Sequence, residues 1–208
     1  MITVNEIFYS VQGESTYAGR PCVFVRLTAC DLRCSWCDTP YAFDAGGKRP
    51  LDEVVEEVDA YRCPLVEITG GEPLLQEGVY PLMSSLLHRG KTVLLETGGH
   101  RDTSRVPEQV VTILDVKCPG SGEAGQMDWN NIDRLRPHDE VKFVIKDRLD
   151  YEYAKDVIAR HALPGRAAAI HMSPVHGVLD PHVLSEWVLS DRLPVRVHLQ
   201  LHKLLQLR

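Results

Sequence analysis

The 208 residues carry a formal charge of −6, with 44% apolar and 25% charged side chains, the balance of an ordinary globular chain. The length suits one domain spanning residues 1–208 with a full-sized core, and the negative charge excludes a broad basic surface for nucleic acid. No apolar run approaches the roughly 18 residues needed to cross a bilayer, and the opening Met1-Ile-Thr-Val-Asn-Glu lacks both the basic and the apolar part of a secretory signal, so a cytoplasmic protein with no membrane partner is expected.

In chain order, the first expected strand is Val23–Leu27, followed by a polar stretch holding Cys30, Cys34 and Cys37. Leu51, Val54, Val55 and Val58 share one helical face, with acids in the first turn. A strand over Leu65–Thr69 runs into Gly70-Gly-Glu-Pro, and a helical pattern covers Val79–His88. Strands are then expected over Thr92–Leu95, Val110–Val116, Val141–Ile145, Ala168–Met172 and Val195–Leu201. Helical patterns lie over Asp128–Leu135 and Tyr151–His161, and Asp180-Pro181 reads as a cap and first residue of another helix. Strands alternating with helices imply a parallel sheet. We therefore expect an α/β fold, a partial (β/α)6-type barrel of mainly parallel strands, its polar loops gathered beyond the strand C-termini.

Six cysteines are present, and three of them, Cys30, Cys34 and Cys37, have the spacing C-x3-C-x2-C. Clustered cysteines in a chain without secretory features point to metal or cofactor ligation rather than disulfides. Three thiolates on one short loop can bind three corners of a cubic iron–sulfur cluster, whose fourth iron then stays open to a ligand. A structural zinc site is the competing reading, but it asks for four protein ligands, and no second C-x2-C or H-x3-H pair is present. Cys22, Cys63 and Cys118 stand alone and read as small buried hydrophobes.

The cysteine spacing, with Trp36 before the last cysteine, resembles the radical S-adenosylmethionine (SAM) superfamily, and Gly70-Gly71-Glu72 resembles its methionine-binding motif. The resemblance implies a four-iron, four-sulfur cluster on Cys30, Cys34 and Cys37, and SAM held by Trp36, Gly70, Gly71 and Glu72. Later strand ends, Asp115-Val116-Lys117-Cys118 and Ser173-Pro174-Val175-His176, would hold its ribose and adenine.

Val11-Gln12-Gly13-Glu14, Arg26, Cys37-Asp-Thr-Pro-Tyr, Glu96-Thr and the closing Gln200-Leu-His202-Lys are more particular. With the motifs above they resemble the 7-carboxy-7-deazaguanine synthase family, from about residue 5 to the C-terminus. That resemblance implies ring contraction of 6-carboxy-5,6,7,8-tetrahydropterin to 7-carboxy-7-deazaguanine and ammonia, on the way to queuosine. The deoxyadenosyl radical would take the C6 hydrogen and later return it. A pterin's amide-like edge would face Val11, Gln12, Gly13 and Glu14. Arg26 would meet its carboxylate in a two-pronged match, and Thr69 and His202 would complete the pocket. Thr39 would lend a hydroxyl to Mg²⁺. The α-carboxylate of Arg208 would fold back over the barrel mouth, its tail docked by Leu201, Leu204, Leu205 and Leu207. Ser15 stands where a glycine is often found.

An electron donor such as flavodoxin or ferredoxin and a homodimer are the expected partners. Two other readings stay open. One is a glycyl-radical-enzyme activase, which would not need Gln12, Glu14 and Arg26; the other is a non-catalytic iron–sulfur electron carrier, which normally ligates every iron.

Overall fold

The computed structural model describes residues 1–207. Strand β1 (Ile2–Val11) runs antiparallel to β2 (Pro21–Leu27) and to the short β3 (Gly47–Arg49). From β2 onward every pairing is parallel, through β4 (Leu65–Gly70), β5 (Thr92–Thr97), β6 (Val111–Asp115), β7 (Glu140–Ile145), β8 (Ala169–Pro174) and β9 (Arg196–Val197). The sheet has the order β3-β1-β2-β4-β5-β6-β7-β8-β9 and stays open at both edges. It is the partial α/β barrel that the alternation predicts.

β4, β6 and β8 are buried almost without interruption, as strands covered on both faces are. Their outer covering is helical. Helix α1 (Leu51–Ala60) places Asp52 and Glu53 in its first turn, where acids complement the helix dipole, and buries Val54, Val55 and Val58. It packs with α2 (Val79–His88) over β1, β2, β4 and β5 in one apolar cluster. A second cluster joins β6–β8 to α3 (Asn130–Asp133), α4 (Arg148–Arg160) and α5 (Pro181–Asp191). Asp180 caps α5 as predicted, accepting from the His182 N–H at 2.8 Å, and Asp147 caps α4 by accepting from Leu149 and Asp150.

Three elements depart from the sequence reading. β1 is unforeseen: only Ile2, Val4 and Phe8 alternate inward, across a bulge at Val4–Glu6, so polar residues mask its period. α3 fills four residues of the expected Asp128–Leu135. Residues 195–201 yield only the two-residue β9, because Leu201 leaves the ladder to donate its N–H to Gly13 O and start α6 (Leu201–Leu204).

The direction of β1 matters most for the site. It runs against β2, so Val11 ends at the edge where the parallel strands begin. Residues 12–20 therefore close the N-terminal mouth of the barrel, opposite the loops that follow β2, β4 and β5. Within this turn Ser15 adopts φ 64°, the left-handed region a glycine occupies without penalty.

Candidate active site

Two adjacent loops form the C-terminal mouth. β2 and β4 pair in parallel with Leu27 opposite Gly70, so the cysteine loop and the Gly-Gly-Glu loop leave the sheet side by side. Gly71 N–H donates to Leu27 O at 3.2 Å and Glu72 N–H to Ala29 O at 2.8 Å. A Cβ at Gly71 would collide with Ala29 O and come within 2.8 Å of Cys30 Cβ, so glycine there is a packing requirement. Arg33 braces the cysteine loop from outside, donating to Cys30 O at 2.7 Å and lying over the Phe43 ring. Cys30, Cys34 and Cys37 are free thiols that all face one cavity. Gly71→Ala is expected to push this loop outward and to lower iron incorporation several-fold, read by iron analysis after anaerobic reconstitution, with unchanged incorporation refuting the packing argument.

Glu72 is 1% exposed and its carboxylate is taken up internally. It accepts from Leu74 N at 3.0 Å, Thr97 Oγ1 at 2.9 Å and Gly98 N at 2.9 Å, tying the β4 loop to the β5 loop. This strand end presents Thr69, the bare backbone of Gly70 and Gly71, and Glu72 to the cavity.

The N-terminal mouth is closed by a plug with anchors on several strands. Gln12 donates its amide to Glu67 of β4 while its carbonyl accepts from Glu14 N–H at 2.9 Å. Glu14 takes Lys142 Nζ of β7 at 2.6 Å and Gln200 Nε2 at 2.6 Å. Thr16 donates to Glu140 of β7, which also accepts from His171 Nε2 of β8 at 2.7 Å. A Cβ at Gly13 would strike the His202 ring, so this glycine lets the C-terminal segment lie against the plug.

Charge is concentrated between the mouths. Lys142, 5% exposed, binds Glu14 and Glu96 and lies 3.5 Å from Asp115, which pairs with Lys117 at 2.8 Å. Burial would raise the Glu14 carboxyl, but the charge and hydrogen bond of Lys142, with help from Gln200, outweigh it and hold it at about 2, against an ordinary 4.5. Burial pushes Glu96 up, and it pushes the His202 imidazole down, toward the neutral form. A carboxyl depressed on folding stabilises the protein above its unfolded value and loses that contribution as pH falls through the folded one. The stability gap between the protein and Glu14→Gln should therefore be widest above pH 4.5 and close toward pH 2, measured by urea unfolding of the apoprotein. A gap independent of pH would contradict the ion pair.

The two mouths bound a single cavity of about 400 Å³, reached by the three cysteines from one side and by Gln12, Gly13, Glu14 and His202 from the other. Residues 25–162 match the radical SAM superfamily model. A 7-carboxy-7-deazaguanine synthase of Koribacter versatilis is 49% identical over 96% of this chain and 95% of its own length. One from Chlorobaculum tepidum is 46% identical, over 97% and 93%. The chain belongs to the 7-carboxy-7-deazaguanine synthase family. Its fold matches the crystal structure of QueE from Escherichia coli with a TM-score of 0.79 at 21% identity, covering 96% of this chain and 93% of that one. It also matches Streptococcus suis SuiB bound to S-adenosylmethionine, with a TM-score of 0.61 at 11% identity over 83% and 48%.

As a radical SAM enzyme the protein works with a four-iron, four-sulfur cluster and SAM, and the residues fit both. Among the described residues no three His, Cys, Asp or Glu side chains converge as a single metal ion requires; a cubic cluster asks instead that each thiolate meet a different iron. Asp115 Oδ1, in the cavity wall, is buried without a partner among the described residues, as an acceptor reserved for a ligand is.

Val11, Arg26, Trp36, Thr39, Thr69, Asp115, Lys117, Val175 and His176 also line the cavity. Val116 and Cys118 do not: side chains alternate after β6, so these two point into the α3–α5 core. Ser173 and Pro174 lie within buried β8 rather than on the cavity wall. Arg26 has a partner, Glu6 of β1, at 2.9 Å, so its inward position is not explained by a ligand alone. Leu204, Leu205 and Leu207 are 58%, 56% and 46% exposed and do not dock the tail; contacts of Leu201 to Gly13 and of Lys203 to Asp38 at 3.1 Å do. Arg208 lies outside the described residues. Glu96 entered the sequence analysis only through the family resemblance, with no role given, and Glu67 and Lys142 were missed there, their one signal being a charge at an inward position of an apolar strand.

Proposed function

We propose that this enzyme converts 6-carboxy-5,6,7,8-tetrahydropterin to 7-carboxy-7-deazaguanine with release of ammonia, in the direction of queuosine. The observation that carries this reading is the cavity itself, with a triple-cysteine loop facing a plug of hydrogen-bonding groups across about 400 Å³. Such a space favours a small heterocycle over the polypeptide segment that a glycyl-radical activase would need to admit.

Cys30, Cys34 and Cys37 would hold the cluster, and Gly70, Gly71, Glu72 and Asp115 would hold SAM. When reduced, the cluster supplies the electron that generates an organic radical from SAM. The protein's own residues orient the pterin. Glu14 offers a fixed carboxylate to ring N–H and amino donors, and neutral His202 and Thr69 flank it. Arg26, kept in place by Glu6 and stacked near Phe8 and Tyr41, would meet the pterin carboxylate. The plug and the Gly13–Leu201 contact keep water from the N-terminal side. A single domain over residues 1–208, a homodimer and a flavodoxin- or ferredoxin-like electron donor complete the proposal.

Thr39 lines the cavity two residues beyond Cys37, its hydroxyl 3.9 Å from Cys37 Sγ. We place Mg²⁺ there, with waters and the substrate carboxylate as its other ligands, because a hard cation of this kind keeps most of its waters. Thr39→Ala is expected to weaken the Mg²⁺ dependence of product formation by about tenfold, the scale of one lost metal ligand, while iron content and SAM binding persist. An unchanged Mg²⁺ response would remove Thr39 from the metal site. The reaction itself is tested by incubating anaerobically reconstituted, reduced protein with the pterin, SAM and Mg²⁺. Formation of 7-carboxy-7-deazaguanine is expected, and SAM cleavage without pterin turnover would overturn the substrate.

A further inference from the structure

Glu67 is a buried acid that the reading above does not use. It lies on β4, is 4% exposed and lines the cavity below Thr69. The hydrogen-bond partner of its carboxyl is a neutral group, the Gln12 side-chain amide. The orientation of that amide is fixed by the other end, because the Gln12 carbonyl accepts from Glu14 N–H. Gln12 therefore turns its NH₂ toward Glu67.

The charges around Glu67 decide its state. Glu14 from the plug, Glu96 from β5 and Asp115 from β6 share the space with Lys142 of β7 and Lys117. From β2, Cys22 lies beside it as a buried thiol, and Arg26 is engaged by Glu6. Lys142 is committed to Glu14 and Glu96, and Lys117 to Asp115. With all four carboxyls ionised, two lysines would face four negative charges in a space with little water. Three of these acids have a cation within hydrogen-bond reach, and among the described residues Glu67 has none. Isolated buried charge is costly, and the usual outcome is neutralisation of the group that lacks a partner.

We propose that Glu67 functions as a neutral carboxylic acid in the floor of the substrate site, accepting from Gln12 through one oxygen and donating its O–H to an acceptor on the bound heterocycle. Burial first, and then the charges of Glu96 and Glu14, push its carboxyl well above the ordinary range, in agreement with the geometry. The floor then presents a donor, Glu67, beside an acceptor, Glu14, and this alternating pair matches the alternating edge of a pterin. An ionised Glu67 would present two acceptors in a row and reject that edge. The ligand half of this inference rests on the pterin reading above; the protonation half does not.

Two measurements separate the halves. Infrared difference spectra of the reconstituted holoenzyme, wild type minus Glu67→Gln, should show the carbonyl band of a protonated carboxylic acid throughout pH 6–8. A carboxylate band in its place would overturn the proposal, whatever the substrate. In steady-state assays with 6-carboxy-5,6,7,8-tetrahydropterin, Glu67→Leu should raise KM about tenfold or more, the cost of an unpaired buried group, with SAM affinity unchanged. Glu67→Gln keeps a donor and should recover most of that loss. It should also remove the rise in KM on the alkaline side that ionisation of Glu67 causes. A Gln variant as impaired as the Leu variant would refute the donor role. Should the pterin not be turned over by the wild type, the ligand half falls with that reading and the infrared band decides the rest.

Discussion

Alanine at Cys30, Cys34 or Cys37 is expected to reduce SAM cleavage to the background rate, with each single change sufficient. The reason is the supply of ligands. The other three thiols are buried elsewhere, Cys22 and Cys63 in the β1–β5 cluster and Cys118 in the α3–α5 cluster, so none can stand in. A cubic cluster held by three thiolates loses a corner with each substitution. Reconstituted wild-type protein should bind about four irons, and the triple variant should bind none above an unrelated protein. Alanine at Cys22 or Cys63 removes one buried sulfur and should leave cleavage largely intact. Iron binding that survives the triple change would overturn the assignment of these cysteines, though not the membership of the family.

Lys142→Met is expected to be the most damaging single change away from the cluster. Methionine nearly preserves the side-chain length, so the loss is one of charge. Lys142 holds Glu14 of the plug and Glu96 of β5 together, with Asp115 of β6 at 3.5 Å. Removing one partner of a buried ion pair leaves uncompensated charge and costs about 3–5 kcal/mol. We expect that loss in urea unfolding of the apoprotein, together with loss of pterin turnover, because Glu14 is released from the floor of the cavity. Adding Glu14→Gln to Lys142→Met should restore part of the stability, since the stranded charge is then removed, but not the turnover. A Lys142→Met protein of wild-type stability would mean that the network carries no net energy.

Much of the fold was readable because its signals are local. Val23–Leu27, Leu65–Thr69 and Val141–Ile145 are mostly β-branched and apolar, each with one charge (Arg26, Glu67, Lys142), as strands buried on both faces beside a site are, and they became β2, β4 and β7 with ends shifted by a residue or two. Asp180-Pro181 announced α5 through a cap that needs only neighbouring backbone. β1 was hidden because its inward residues are few and its outward ones polar. The short β9 was over-read because a contact from Gly13, nearly 190 residues away in the chain, takes Leu201 out of the strand.

The cysteine loop and the glycine loop are legible from residue order, since both are contiguous and their residue types admit little other chemistry. Parallel pairing of β2 with β4 then sets them side by side, as adjacent strand ends in a parallel sheet require. The opposite wall is assembled by the packing of strands distant in the chain. Glu67, Glu96, Asp115 and Lys142 come from four different strands, and Glu67 and Lys142 in their own strands read as stray charges. Their meeting depends on which strands are neighbours, and so do the protonation of the acids and the anchoring of the plug. Coulomb energy depends on distance in space, and spacing along the chain does not contain it.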